Sequence, residues 1–146
     1  MAVAALIVWI AVAVGGGIMT GIWFARGGAG AQQDATRFSV PVLFAHVGLA
    51  VIGLVLWIVY MILGDAAWAW LAFAALVLVA LGGFVLFARW LPGYRARTSA
   101  VSGTGSGDAA AARQPAESHF PVALVAGHGI GAVATVVLVL LAALGL

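Results

Sequence analysis

Apolar residues dominate four stretches of the chain, and polar positions are concentrated in the segments between them. The apolar stretches cover residues 3–24, 40–63, 68–88 and 121–144. Each can cross a bilayer core about 30 Å thick, which needs roughly 20 residues of helix. The first stretch has no basic segment before it and no small-residue cleavage signal after it, so we interpret it as a retained helix. We predict an all-α fold, an integral membrane four-helix bundle of up-down topology that forms one domain over residues 1–146.

Composition supports a lipid environment and excludes several functions. Of 146 residues, 66% are hydrophobic and 7% are charged, whereas soluble domains carry about 25% charged residues. This excludes an ordinary soluble enzyme and a nucleic-acid binder, and it leaves the lipid bilayer as the expected surrounding. The chain has no cysteine, so disulfides and thiolate metal sites are also excluded. Abundant Ala and Gly, with Arg in place of Lys, indicate a GC-rich bacterial genome and hence a bacterial plasma membrane.

The arginines predict the orientation of the bundle. All six lie in the connections between the first and second and between the third and fourth stretches: Arg26, Arg37, Arg89, Arg95, Arg97 and Arg113. The opposite side carries Asp65 and both termini. Because basic residues collect on the cytoplasmic side, we expect both termini to face outward. The connection over residues 91–118 is rich in Ala, Gly, Ser and Thr, and we expect a flexible cytoplasmic loop there.

The two helical hairpins resemble each other. Phe-Ala-Arg ends both the first and the third stretch, at residues 24–26 and 87–89. The second and fourth stretches each begin near a Phe and a Pro, and each then presents a histidine followed by Ala-Val. A duplicated hairpin would explain this pattern. Chance similarity between helices rich in Ala and Val remains the alternative.

Two histidines are the main candidates for chemistry. His46 and His128 lie at similar depths in parallel helices, roughly 9–11 Å from the side that carries the arginines. Ionisable residues within a membrane are costly and by default indicate a functional site. Glycines surround both positions, which leaves space for a neighbouring helix or a flat macrocycle. His119, beside Glu117 at the boundary, is interpreted as a solvated residue and a spare ligand.

This layout resembles transmembrane b-type cytochromes, in which histidines from two helices of a four-helix bundle bind one haem. The resemblance implies His46 and His128 as axial ligands of the haem iron. Arg26, Arg37 and Arg89 would then pair with the haem propionates. It also implies an electron-transfer subunit that works between quinol and a redox protein partner. With two intramembrane histidines the chain has at most one such site.

Two other classes of function stay open. The histidines could be structural, with polar bonds worth about 0.6 kcal/mol each on average, in an accessory or anchor subunit of a membrane complex. The chain could instead handle a metal ion or a small solute. It shows no paired intramembrane carboxylates, nucleophile–base pair or phosphate loop, so the pattern predicts no hydrolysis or group transfer.

Overall fold

A computed structural model describes residues 1–30, 35–101 and 114–146. Within them the chain forms four long α-helices and one short 3₁₀ helix: α1 (Ala2–Ala25), α2 (Val40–Leu63), α3 (Ala66–Val101), the 3₁₀ helix (Ala116–His119) and α4 (Val122–Ala143). All four α-helices are long and apolar enough to cross a membrane. The predicted all-α membrane bundle is therefore confirmed.

Local sequence explains where the helices begin and end. Pro41 lies in the first turn of α2, where its missing N–H would have no helical partner. Gly64 ends α2 in the left-handed conformation, with φ at 71°, and its N–H bonds the carbonyl of Tyr60. Asp65 then accepts a hydrogen bond from the N–H of Ala67 in the first turn of α3. The tight turn between α2 and α3 therefore contains its own stop and start signals.

The third helix is longer than the sequence pattern predicts. The pattern ends the third span at residue 88, but α3 continues to Val101 and contains Pro92. Residues 114–119 are also not an open loop, since Ala116, Glu117 and Ser118 are buried. The expectation of a flexible loop is therefore wrong for residues 91–101 and 116–118. Residues 102–113, which include Arg113, lie outside the described residues.

The four helices surround a common axis in chain order. The most extensive packing joins α2 to α3 and α1 to α4, and further contacts join α3 to α4 and α1 to α2. In the described parts of the chain, the diagonal pairs α1–α3 and α2–α4 make no close backbone contact. We call the end where α1 ends and α2 and α4 begin the arginine end. It carries Arg26, Arg37 and Arg89.

The interior is divided into two apolar clusters. One lies towards the chain termini around Trp9 and Trp57, and the other lies at the arginine end around Trp23 and Trp90. The outer faces are apolar as well. Ile7, Phe84 and Ile130, for example, are 62%, 67% and 72% exposed. Such a surface is stable in hydrocarbon, so the bundle presents these faces to lipid. Between the two apolar clusters lies a layer that contains polar side chains.

Candidate functional site

His46 and His128 form this intermediate layer. Each is six residues after the first residue of its helix, Val40 in α2 and Val122 in α4. At a rise of 1.5 Å per residue, both α-carbons lie about 9 Å along the helix from the arginine end. The prediction that the two residues share one depth agrees with these helix boundaries.

The two imidazole rings face the same interior space. Their centroids are 6.4 Å apart and their planes are inclined by 55°. Because α2 and α4 are diagonal neighbours, this ring pair spans the centre of the bundle. The structure therefore brings together the two residues that the sequence singled out.

Each ring is held by a hydrogen bond to a different adjacent helix. The Nδ1 atom of His46 is 2.9 Å from the carbonyl oxygen of Val79 in α3. The Nδ1 atom of His128 is 3.0 Å from the carbonyl oxygen of Val12 in α1. A carbonyl oxygen only accepts, so Nδ1 carries the proton in both rings. In a neutral imidazole this leaves a lone pair on Nε2, the nitrogen available to a metal.

A pair of glycines lies against each ring. A β-carbon on Gly16 of α1 would lie 3.0 Å from Cε1 of His128, and one on Gly83 of α3 would lie 3.2 Å from Cε1 of His46. Both distances are shorter than ordinary van der Waals contact. The glycines therefore let the helix backbones approach the imidazoles, and a larger residue at either position would displace the ring.

The carbonyl that accepts each histidine hydrogen bond and the glycines beside that ring belong to the same short segment, which occurs twice in the chain. Residues 12–16 read Val-Ala-Val-Gly-Gly and residues 79–83 read Val-Ala-Leu-Gly-Gly. In each, the first residue accepts the histidine hydrogen bond and the last contacts the same histidine. This role of the glycines was not predicted from the sequence. The signal that could have revealed it is the match between the two five-residue segments.

These contacts relate the two halves of the bundle. His46 of α2 bonds α3, and His128 of α4 bonds α1. Exchanging α1 with α3 and α2 with α4 converts one bond into the other. Such a relation is that of a parallel repeat about an axis along the bundle. The contacts therefore favour the duplicated hairpin over chance similarity.

The spacing of the pair suits a metal centre with two imidazole ligands. Two metal–nitrogen bonds of about 2 Å, plus the distance from each nitrogen to its ring centre, separate the centroids by about 6 Å. The donor chemistry and the spacing therefore fit a metal centre with two imidazole ligands, of which a haem iron is one kind.

Other metal sites lack support in the described part of the chain. It contains no group of three or more His, Asp or Glu side chains close enough to hold a metal ion. His119 lies in the 3₁₀ helix, with Nδ1 3.3 Å from the carbonyl of Ala116. His119 precedes His128 by nine residues and lies before the first residue of α4, so it is at the arginine end. The prediction for a metal site therefore concerns His46 and His128.

One side of the histidine layer is open to the surroundings of the bundle. A groove of about 310 Å³ runs between α1 and α4 and reaches His128. Its walls are apolar apart from this imidazole, and they include Val12, Gly15 and Gly127. The α1–α4 contact is thus looser than the α2–α3 contact around His46.

Two of the three candidate arginines lie together at the arginine end. The guanidinium of Arg89 donates from Nη1 to the carbonyl oxygen of Arg37, at 3.0 Å. Both side chains line a small cavity together with Trp90 and Glu117. Arg26 is exposed at the C-terminal end of α1 and does not line this cavity.

Glu117 is buried here, although it falls within the segment predicted to be a flexible loop. It is 2% exposed. Its carboxylate accepts hydrogen bonds from the hydroxyl of Thr36 at 2.8 Å and from the N–H of Arg37 at 2.7 Å. Thr36 in turn accepts one from Nε1 of Trp23 at 2.9 Å. These bonds fasten the 3₁₀ helix to the segment before α2 and to the end of α1.

We expect Glu117→Ala to destabilise the arginine end. The hydroxyl of Thr36 and the N–H of Arg37 would lose their acceptor in a buried setting, which costs about 1–3 kcal/mol. The midpoint of thermal helix loss in detergent, measured by circular dichroism, should therefore fall. Glu117→Gln is the matched control, because its amide oxygen can still accept one bond, and its midpoint should lie between those of the parent and the alanine variant. Equal midpoints for all three proteins would contradict the role assigned to the carboxylate.

The fold and the site together define a class: a small four-helix membrane protein with a central pair of histidines. Comparison of the chain with protein-family models, with curated proteins and with solved structures finds no match. Functional interpretation therefore depends on the geometry of the site.

Proposed function

We propose that this protein is a b-type haem-binding subunit of an electron-transfer system, with one haem held between His46 and His128. The observation that carries the proposal is the 6.4 Å separation of the ring centroids. Bis-histidine ligation requires a separation of about that size. The hydrogen bonds from Nδ1 add support, because they fix both rings and leave Nε2 as the donor to iron.

The chain would bind and orient the group with a few residues. His46 and His128 would supply the two imidazole nitrogens, while the two Gly-Gly segments let α1 and α3 pack closely against the rings. Arg37 and Arg89 lie at the nearer end of the bundle and can pair with the carboxylates of the haem, and Arg26 is a more exposed third candidate. A haem iron supplies one-electron exchange, and its potential is set by axial ligands and burial.

The haem would exchange electrons with quinol and with a redox protein partner. One haem near one end of the bundle does not by itself connect the two membrane surfaces, so the exchange takes place on the arginine side. We place this side in the cytoplasm and both termini outside a bacterial plasma membrane. The support is the concentration of arginine at one end.

A visible spectrum of the detergent-purified protein tests this proposal directly. Protein made with ample haem should show a reduced-minus-oxidised α-band at about 560 nm, as bis-histidine haem does. The haem content should approach one per chain. Colourless protein from such cells would reject the proposal.

A second candidate is an accessory or anchor subunit in which the histidines are structural. The observation in its favour is that each Nδ1 already bonds a neighbouring helix, as a polar contact between membrane helices would. In that case alanine at either position should change stability by only about 0.6 kcal/mol and leave partner binding intact. Metal analysis of the same sample would reveal a third alternative, in which the two imidazoles hold a metal ion without a macrocycle.

A further inference from the structure

We infer that Arg37, Arg89 and Trp90 form a binding site for the oxyanion of a membrane amphiphile at the arginine end. Two sources have this chemistry: the phosphate of an anionic phospholipid and a carboxylate of the proposed haem. Only the second source rests on the proposed function. The lipid source requires nothing of the histidine layer.

The first observation is a small cavity beside these three residues. It has a volume of about 10 Å³ and is also lined by Gly93, Pro115, Glu117 and Ser118. A volume of this size accommodates about one water molecule or one oxygen atom. A single oxygen of a larger oxyanion therefore fits, with the rest of the headgroup outside.

The second observation is a buried hydrogen-bond donor without a partner. Trp90 is 5% exposed, and its Nε1 atom has no hydrogen-bond partner among the described residues. Its ring is fixed by stacking on Tyr94, with centroids 5.0 Å apart and planes inclined by 10°. A buried N–H group normally has a partner, and Trp90 is one of the residues that line the cavity. An anion oxygen that binds beside the indole would supply the missing partner.

The third observation is the position of the two guanidinium groups. Arg89 uses one N–H to bond the carbonyl of Arg37. The Nη1 atom of Arg37 lies 3.2 Å from the place where a β-carbon on Gly93 would be, so Gly93 allows this guanidinium to lie close to α3. Each guanidinium has five N–H donors, and most of them stay available to an anion.

Among the described residues on the cavity wall, Glu117 is the one acidic group, and it would repel an anion. Its carboxylate is already bonded to Thr36 and to the N–H of Arg37. Two guanidiniums against one carboxylate leave the cavity positive. The balance of charge and donors therefore favours an oxyanion over a cation.

The location determines the kind of molecule that carries the oxyanion. The cavity lies where α2 begins and where α3 passes from its apolar part into Arg89, Arg95 and Arg97. In a membrane this is the level of the headgroups, where basic residues bind anionic lipids. Aromatic residues such as Trp90 and Tyr94 are also enriched at that level.

Native mass spectrometry of the full chain made without haem tests the lipid source. Phosphatidylglycerol, phosphatidylcholine and inorganic phosphate are the probes. The parent should retain phosphatidylglycerol in preference to phosphatidylcholine. Trp90→Phe removes the N–H together with part of the indole ring and leaves an aromatic ring that can still stack on Tyr94, so its affinity should fall about threefold to tenfold. Arg89→Gln should lose at least about tenfold.

Two variants serve as controls. Trp70→Phe changes a half-exposed tryptophan near the opposite end, and Arg95→Gln removes an exposed arginine of α3 that does not line the cavity. Both should bind lipid like the parent. Circular dichroism of Trp90→Phe confirms that the helices are intact.

Measurements on the haem-loaded protein distinguish the haem carboxylate from the lipid phosphate as the source of the oxyanion. If Arg89→Gln and Trp90→Phe leave lipid binding unchanged but shift the reduction potential and weaken haem retention, the oxyanion is the haem carboxylate and the site is supported. If neither variant changes lipid affinity, potential or haem retention, the inference is wrong. That outcome leaves the α-band intact, so it is distinguishable from failure of the haem proposal itself.

Discussion

His46→Ala and His128→Ala should each abolish haem retention while the four helices persist. Each substitution removes one axial nitrogen and one hydrogen bond to a neighbouring helix. Loss of a residue that merely orients a metal ligand lowers affinity 10–100-fold, so loss of the ligand itself should have at least that effect. The measurement is the ratio of the α-band to protein absorbance after purification in detergent.

The third histidine provides a control of the same residue type. His119 lies at the arginine end, away from the ring pair, and His119→Ala should keep the full α-band. Circular dichroism separates ligand loss from unfolding, because the alanine variants at 46 and 128 should remain helical. A full α-band in either of those two variants would exclude that histidine as a ligand.

Gly16→Val in α1 and Gly83→Val in α3 should disrupt the histidine layer, because both positions lie against an imidazole ring. A β-carbon at these positions meets Cε1 of His128 at 3.0 Å or Cε1 of His46 at 3.2 Å, and the branched side chain adds further bulk. The imidazole must leave its place, and overpacking of this kind costs about 1–3 kcal/mol. We expect weaker haem retention and a lower midpoint of thermal helix loss.

Gly17→Val is the matched control for Gly16→Val. A β-carbon at Gly17 would have no neighbour within 4 Å, so the substitution introduces the same residue one position along the same helix without a clash. Its haem content and midpoint should equal those of the parent. If all three valine variants behave alike, the glycines at 16 and 83 are not needed for placing the rings.

The fold could be predicted from the sequence because the membrane limits the alternatives. Four long apolar stretches define four helices, and the predicted second span coincides with α2 at Val40–Leu63. The shared depth of His46 and His128 follows from their equal distance from the starts of two parallel helices. These inferences need only helix geometry and chain direction.

The missed features depend on contacts between distant residues. The buried carboxylate of Glu117 accepts a hydrogen bond from Thr36, 81 residues earlier, and no local pattern encodes that pairing. The continuation of α3 through Pro92 contradicts a local rule, since proline removes a helical hydrogen bond. The hydrogen-bond partners of the histidines likewise lie 33 and 116 residues away.

Both histidine bonds cross from one hairpin to the other, and this has a consequence for the origin of the chain. A single ancestral hairpin with one histidine and one Val-Ala-x-Gly-Gly segment cannot form either bond within itself if its helices were arranged as here. Two copies related by a two-fold axis would form both bonds at once, in an isologous homodimer. Gene fusion would then make the assembly independent of concentration and allow the two halves to diverge. The looser α1–α4 side, where His128 borders the groove, is where such divergence is visible.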